Sequence, residues 1–138
     1  MTKVEVLVRY RWLMQEAVTI SKQADRLIKL GGPVGIGSHP ITGMPRGTND
    51  PVAAGIQAFD GYIRELRTKA AEIASIGHMF EETLSLIKDD RARDICRMYY
   101  ALGMTDDQIG QKKHMDQATV NRIRNDILKK LHNISLNA

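Results

Sequence analysis

Gln117, Ala118, Thr119, Asn121, Arg122 and Asn125, near the C-terminus, carry side chains that match the edges of base pairs. An Asn or Gln amide can pair bidentately with adenine, and an Arg guanidinium with guanine; the Ala118 and Thr119 methyls can meet thymine methyls. On a helix these residues fall on the outward face of its N-terminal part, with Val120, Ile123, Ile127 and Leu131 inward. Nearby stand Lys112, Lys113, Arg124, Lys129 and Lys130, whose charge suits phosphate, a contact that positions a protein without reading sequence. For any one of these side chains, plain solvation is an equally good account. Charge distribution favours the polyanion. Residues 1–107 hold 14 basic and 14 acidic side chains, and residues 108–138 hold six and two, so the net +4 sits wholly in the last 31 residues. A surface helix with a few extra lysines is the alternative.

The elements that must present these residues are legible in 105–123, T-D-D-Q-I-G-Q-K-K-H-M-D-Q-A-T-V-N-R-I. Thr105 and Gln108 have the spacing of a capping box, each bonding the other's backbone N–H. Ile109 and Gly110 then sit in a short helix, Met115 plugs the turn, Asp116 caps, and Val120 and Ile123 point back inward. The small residue at 110 lets two helices approach closely. This is the order of a helix-turn-helix, in which a short helix crosses the backbone and a second enters the major groove. With a preceding helix over 91–102, capped by Asp89 or Asp90, facing inward through Ala92, Ile95, Cys96, Tyr99 and Leu102 and ended by Gly103, residues 89–131 resemble the minus-35-binding module of bacterial sigma factors. Two positions depart from that pattern: Lys113 replaces the usual Leu, and His114 the usual turn Gly. The Lys stem can cover apolar surface, and His tolerates a positive φ better than β-branched residues do. A structural three-helix cap would carry the same pattern.

The rest of the chain is patterned for long helices. Val6, Tyr10, Leu13, Ala17, Ile20, Ala24 and Leu27 make a heptad seam within 4–30. Ile56, Phe59, Ile63, Leu66, Ala70, Ile73, Gly77, Phe80, Leu84 and Ile87 make a second. Gly55, Gly61 and Gly77 weaken the second helix by about 1 kcal/mol each. The seams suit an antiparallel hairpin within one chain and suit a homo-oligomeric coiled coil equally well. Between them, residues 31–50 hold six Gly and three Pro, which predicts a loop; Asn49 or Asp50 before Pro51 then reads as a helix start. The expected architecture is all-α: a coiled-coil-like helical hairpin over 1–88, with its loop at 31–50, and a sigma-region-4-like helix-turn-helix domain over 89–138.

This series of parts, with G-M-P-R-G at 43–47 in the loop, resembles the phage-encoded transcriptional regulators of the ArpU/RinA type. The resemblance implies a prophage activator of late packaging and structural genes, binding double-stranded DNA near a promoter and engaging host RNA polymerase. The rival reading is a phage packaging component, a small terminase-like subunit that uses the same motif to hold viral DNA.

Other classes fit poorly. A complete sigma factor needs a second domain with aromatics to capture unstacked bases, and seven aromatics are scattered here, with Trp12 read as buried in the first seam. No enzyme is expected: the glycines at 31–37 lack the lysine and preceding strand of a phosphate cradle. His39, His78, His114 and His132 read as isolated, so neither a metal nor a cofactor is expected. Apolar runs fall short of a membrane span, and the single Cys96 allows no intrachain disulfide, which points to a cytoplasmic setting.

Overall fold

The computed structural model describes residues 1–29 and 51–137. The loop expected at 31–50, with its glycines, His39, the cap at Asn49 or Asp50 and the G-M-P-R-G segment, lies outside the described residues. Helix α1 spans Lys3–Lys29, α2 Pro51–Ser85, α3 Asp90–Tyr100, α4 Asp106–Lys113 and α5 Gln117–Asn137. Every regular element among the described residues is helical, and none of these helices is long and apolar enough to cross a membrane.

Local chemistry sets the boundaries. Thr2 Oγ1 accepts the Glu5 N–H at 3.1 Å and Glu5 Oε2 accepts the Thr2 N–H at 3.4 Å, a reciprocal pair that opens α1. Proline stands first in α2, where its missing N–H costs nothing, and that helix runs unbroken through Gly55, Gly61 and Gly77. Asp89 caps α3 by accepting the Arg91 N–H at 3.0 Å, and Gly103, just beyond that helix, adopts φ 71°, the left-handed conformation glycine takes without cost.

The chain forms two compact units. The first comprises Met1–Gln15 and Glu72–Ala138. Its main core joins Val6, Leu7 and Leu13 of α1 to Ile76, Phe80 and Leu84 of α2, and both sets to Ala92, Cys96 and Tyr100 of α3 and Ile127 and Leu131 of α5. Tyr10 stacks on Phe80 with ring centroids 4.1 Å apart. The second unit is Glu16–Ala71. Ile20 and Ala24 are buried in it, and Lys69 pairs with Glu16 at 2.5 Å. These compact units do not follow the division expected at 88/89. The start of α1 and the end of α2 complete the core beneath the C-terminal helices, because three short helices bring too little apolar surface of their own.

Three smaller expectations are also corrected. Trp12 is 44% exposed, with the Arg9 guanidinium 4.6 Å over its ring; it lies beside the seam residue Leu13, off the apolar stripe. Leu102 is 64% exposed, because α3 ends at Tyr100 and Tyr100 fills the inward position. In α2, Ile76 is buried beside the seam position Gly77, whereas the seam residues Ile56 and Ala70 are exposed.

Candidate nucleic-acid interface

Helix α4 opens with the expected capping box: Thr105 Oγ1 accepts the Gln108 N–H at 3.2 Å, and Gln108 Oε1 accepts the Thr105 N–H at 3.0 Å. It closes at His114, which adopts φ 58° and ψ 49° and donates its N–H to the Gly110 carbonyl. The same carbonyl takes the Met115 N–H at 2.8 Å. A turn this tight leaves no room at residue 110. A β-carbon there would lie 2.5 Å from the Met115 carbonyl oxygen, closer than backbone atoms can yield. Asp116 directly precedes α5, and its carbonyl accepts the Val120 N–H at 3.1 Å.

A small core fixes the angle of α5 against α3 and α4. Ile95, Ile109 and Val120 are fully buried together, ringed by Met98, Tyr99, Met104, Met115 and Ile123. Each such side chain contributes about 1.5–3 kcal/mol by leaving water. All five residues expected to build the motif, Ile109, Gly110, Met115, Val120 and Ile123, thus lie at the α4–α5 junction.

The outward face of α5 holds most of the base-contact candidates. Gln117, Ala118, Asn121, Arg122 and Asn125 are exposed, and Thr119 is half-buried. Ala118, Arg122, Asn125 and Lys129 follow one another at helical spacing of four, three and four residues, so they form a single stripe along the helix. Lys112, Lys129 and Lys130 are exposed as well.

Two phosphate candidates are engaged elsewhere. The Arg124 side chain is 11% exposed: its Nε and Nη2 donate to the two oxygens of Asp106 at 3.1 and 2.8 Å, and its guanidinium lies 3.9 Å over the Tyr99 ring. Burial works against its charge, yet the hydrogen bonds to Asp106 and Tyr100 outweigh that and raise its pKa. Asp106 in turn is held below the usual carboxylate range, first by the Arg124 bond and, against the opposing effect of burial, by Asn121. Arg124 is therefore a strut of the fold, not a free cation. Lys113 is half-buried and reaches Asp94 of α3 at 3.2 Å, the snorkelling position expected of a lysine on an apolar site.

Three residues important to this surface give no sign in the sequence pattern. Asp106 reads as an ordinary first-turn acid, yet it anchors both Arg124 and Asn121, whose Nδ2 donates to it at 3.1 Å. Tyr99 holds two guanidinium groups near its ring, that of Arg124 and that of Arg11 at 3.8 Å. Arg11 Nη1 also donates to the Tyr99 carbonyl and, at 3.5 Å, to that of Met104, tying α1 to the connection between α3 and α4. No spacing rule links residues so far apart. Elsewhere, His78 is not isolated: its Nε2 lies 3.0 Å from Glu82 one helical turn on, both side chains exposed. Among the described residues no group of three or more His, Cys, Asp or Glu could hold a metal. Burial pushes the Cys96 thiol up to about 12, so it is inert. The chain matches no family model, no curated protein and no solved structure in these comparisons.

Proposed function

We propose that this chain is a sequence-specific DNA-binding regulator of transcription that lays α5 in the major groove and uses α4 to brace it against the backbone. The observation that carries the reading is the α4–α5 junction. Gly110, His114 and Met115 close a tight turn over the buried pair Ile109 and Val120, leaving an outward stripe of amide, guanidinium and ammonium groups on α5. Such a face offers hydrogen bonds to base edges at its N-terminal end and charge for phosphates further along. The resemblance to ArpU/RinA-type regulators adds the context of a prophage activator of late genes that works beside host RNA polymerase.

The test is a titration of fluorescent duplexes at several salt concentrations. Lys112, Arg122, Lys129 and Lys130 are the exposed cations of the segment, so four neutralised phosphates give a log–log slope of about −3.6 per bound subunit. A slope near zero, or no binding at low salt, overturns the proposal. Light scattering on the same samples separates regulation from packaging: a monomer or dimer accords with a regulator, a large ring with a terminase-like subunit.

A further inference from the structure

Asp106, Asn121 and Asn125 form a chain of hydrogen bonds that starts at a largely buried ion pair and ends on the surface of α5. The Asp106 side chain is 12% exposed and bonded through both oxygens to Arg124. Its Oδ2 also accepts from Asn121 Nδ2 at 3.1 Å, and Asn121 Oδ1 accepts from Asn125 Nδ2 at 3.0 Å. An ionised carboxylate only accepts hydrogen bonds, whereas an amide has a donor end and an acceptor end. Asp106, held ionised by its arginine partner, therefore dictates which way Asn121 turns. The Asn121 oxygen must then face Asn125, and Asn125 must answer with its amino group. The direction of both amides is set by one buried charge.

Each link uses up bonding capacity. Asn121 is fastened at both ends, with one lone pair of its oxygen and one N–H engaged within the protein, so its amide cannot turn towards a base without releasing one of them. Asn125 spends one N–H only. It keeps its oxygen and its second N–H on an exposed residue, an acceptor and a donor of the kinds that match adenine N6–H and N7 in the major groove. We infer that Asn125 is the residue that reads an adenine, and that Asn121 is a positioning residue that orients it from Asp106. The inference rests on the proposed DNA-binding function and goes beyond it, because it divides two similar exposed asparagines into different roles.

The experiment uses the full chain. The preferred duplex is first recovered by selection from a library of 30-base-pair duplexes with a randomised centre. Binding of the unaltered protein, Asn125→Ala, Asn121→Ala and the double variant is then measured on that duplex, on versions with each A·T pair changed, and on versions with 7-deazaadenine, which lacks the N7 acceptor. Asn125→Ala should lose roughly 5- to 100-fold on the preferred duplex, with preference lost at one A·T pair and little change on random DNA. 7-Deazaadenine at that pair should weaken the unaltered protein and leave Asn125→Ala unaffected. Asn121→Ala should blunt preference at the same pair, and the double variant should fall within about 2-fold of Asn125→Ala. Unchanged base preference in Asn125→Ala overturns the inference while leaving DNA binding intact. Loss of preference at a different pair in Asn121→Ala also overturns it, since Asn121 would then be reading a base of its own. If the unaltered protein binds no duplex at low salt, the proposed function fails and this inference with it. Should a variant melt early, the 7-deazaadenine series on the unaltered protein still decides: no sensitive adenine means no asparagine reading of this kind.

Discussion

Gly110 and Met115 are packed backbone to backbone: a β-carbon on residue 110 would stand 2.5 Å from the Met115 carbonyl oxygen. Real β-carbons do not approach an oxygen so closely, so Gly110→Ala must push α4 and α5 apart. The expected cost is about 1–3 kcal/mol, even after the gain of alanine's helix propensity. Gly61 makes the opposite case within α2, since its added β-carbon would meet nothing within 4 Å. Gly61→Ala should stabilise by roughly 0.5–1 kcal/mol. Thermal melts of the two variants should move in opposite directions, and a stabilising Gly110→Ala would show that the turn is not the tight one described.

Arg124 and the pair Lys129 and Lys130 should behave differently although all are basic residues of α5. Removing Arg124 strands a nearly buried carboxylate on Asp106, which costs about 3 kcal/mol. Arg124→Ala should therefore melt early, and binding measured on its folded fraction should keep the salt slope of the unaltered protein. Lys129→Ala/Lys130→Ala should melt normally and reduce the slope by about two. A slope change in Arg124→Ala at full foldedness would mean that this guanidinium reaches phosphate after all.

The same pair predicts how stability depends on pH. Arg124 bonds the charged form of Asp106 and lowers its pKa in the folded state, outweighing burial, which pushes the other way. The folded protein then takes up this proton less readily than the unfolded chain. The stabilisation is complete above the unfolded carboxylate value of about 3.9 and is lost as pH falls through the lower folded value. Asp106→Asn has no proton to take up there. Its melting temperature should lie well below that of the unaltered protein at neutral pH, and the gap should narrow below about pH 4. Glu81, lowered by its hydrogen bond from Arg97 but 57% exposed, serves as a comparison: Glu81→Gln should produce a much shallower change. A gap of constant width through the acid range would show that Asp106 is not held ionised by the fold.

What could be read from the sequence was what depends on near neighbours. The Thr105–Gln108 box, the Asp89 cap and the positive φ at His114 involve residues within a few positions of one another, so their types and spacing announce them. The heptad seam of α1 was legible for the same reason, since helical periodicity sorts Leu13 inward, although Trp12, expected in that seam, lies beside it and is exposed. The engagement of Arg124 is not legible in the sequence, because a count of charges treats every arginine as solvated, whereas its partner Asp106 stands 18 residues away. Arg11 and the Tyr99 carbonyl are separated by 88 residues, and nothing short of the folded chain brings them together. The boundary between compact units was hidden for a related reason. The apolar seams of α1 and α2 look alike along their whole lengths, yet among the described residues the core shared with the C-terminal helices draws on the start of α1 and the end of α2.

That shared core makes the final prediction. A fragment of residues 89–138, the portion expected from sequence to be the DNA-binding domain, would expose Ala92, Cys96, Tyr100, Ile127 and Leu131, which pack on Val6, Leu7, Leu13, Ile76, Phe80 and Leu84 in the intact unit. It would also lose the Arg11 bonds to the Tyr99 and Met104 carbonyls. What remains is the small cluster of Ile95, Ile109 and Val120, and three buried side chains at about 2 kcal/mol each are too few to order so short a chain. The fragment should therefore show little cooperative melting by circular dichroism and bind duplex DNA weakly. In the full chain, Leu7→Ala and Phe80→Ala should each cost about 2–5 kcal/mol, and both should weaken DNA binding at temperatures where they begin to unfold, although neither residue lies on α4 or α5. Amide exchange at Ile109 and Val120 reports the state of the motif directly: protection should collapse in the fragment and fall with global stability in the two variants. A fragment that melts cooperatively and protects those amides as the whole chain does would show that the C-terminal helices hold their shape without the start of α1 and the end of α2.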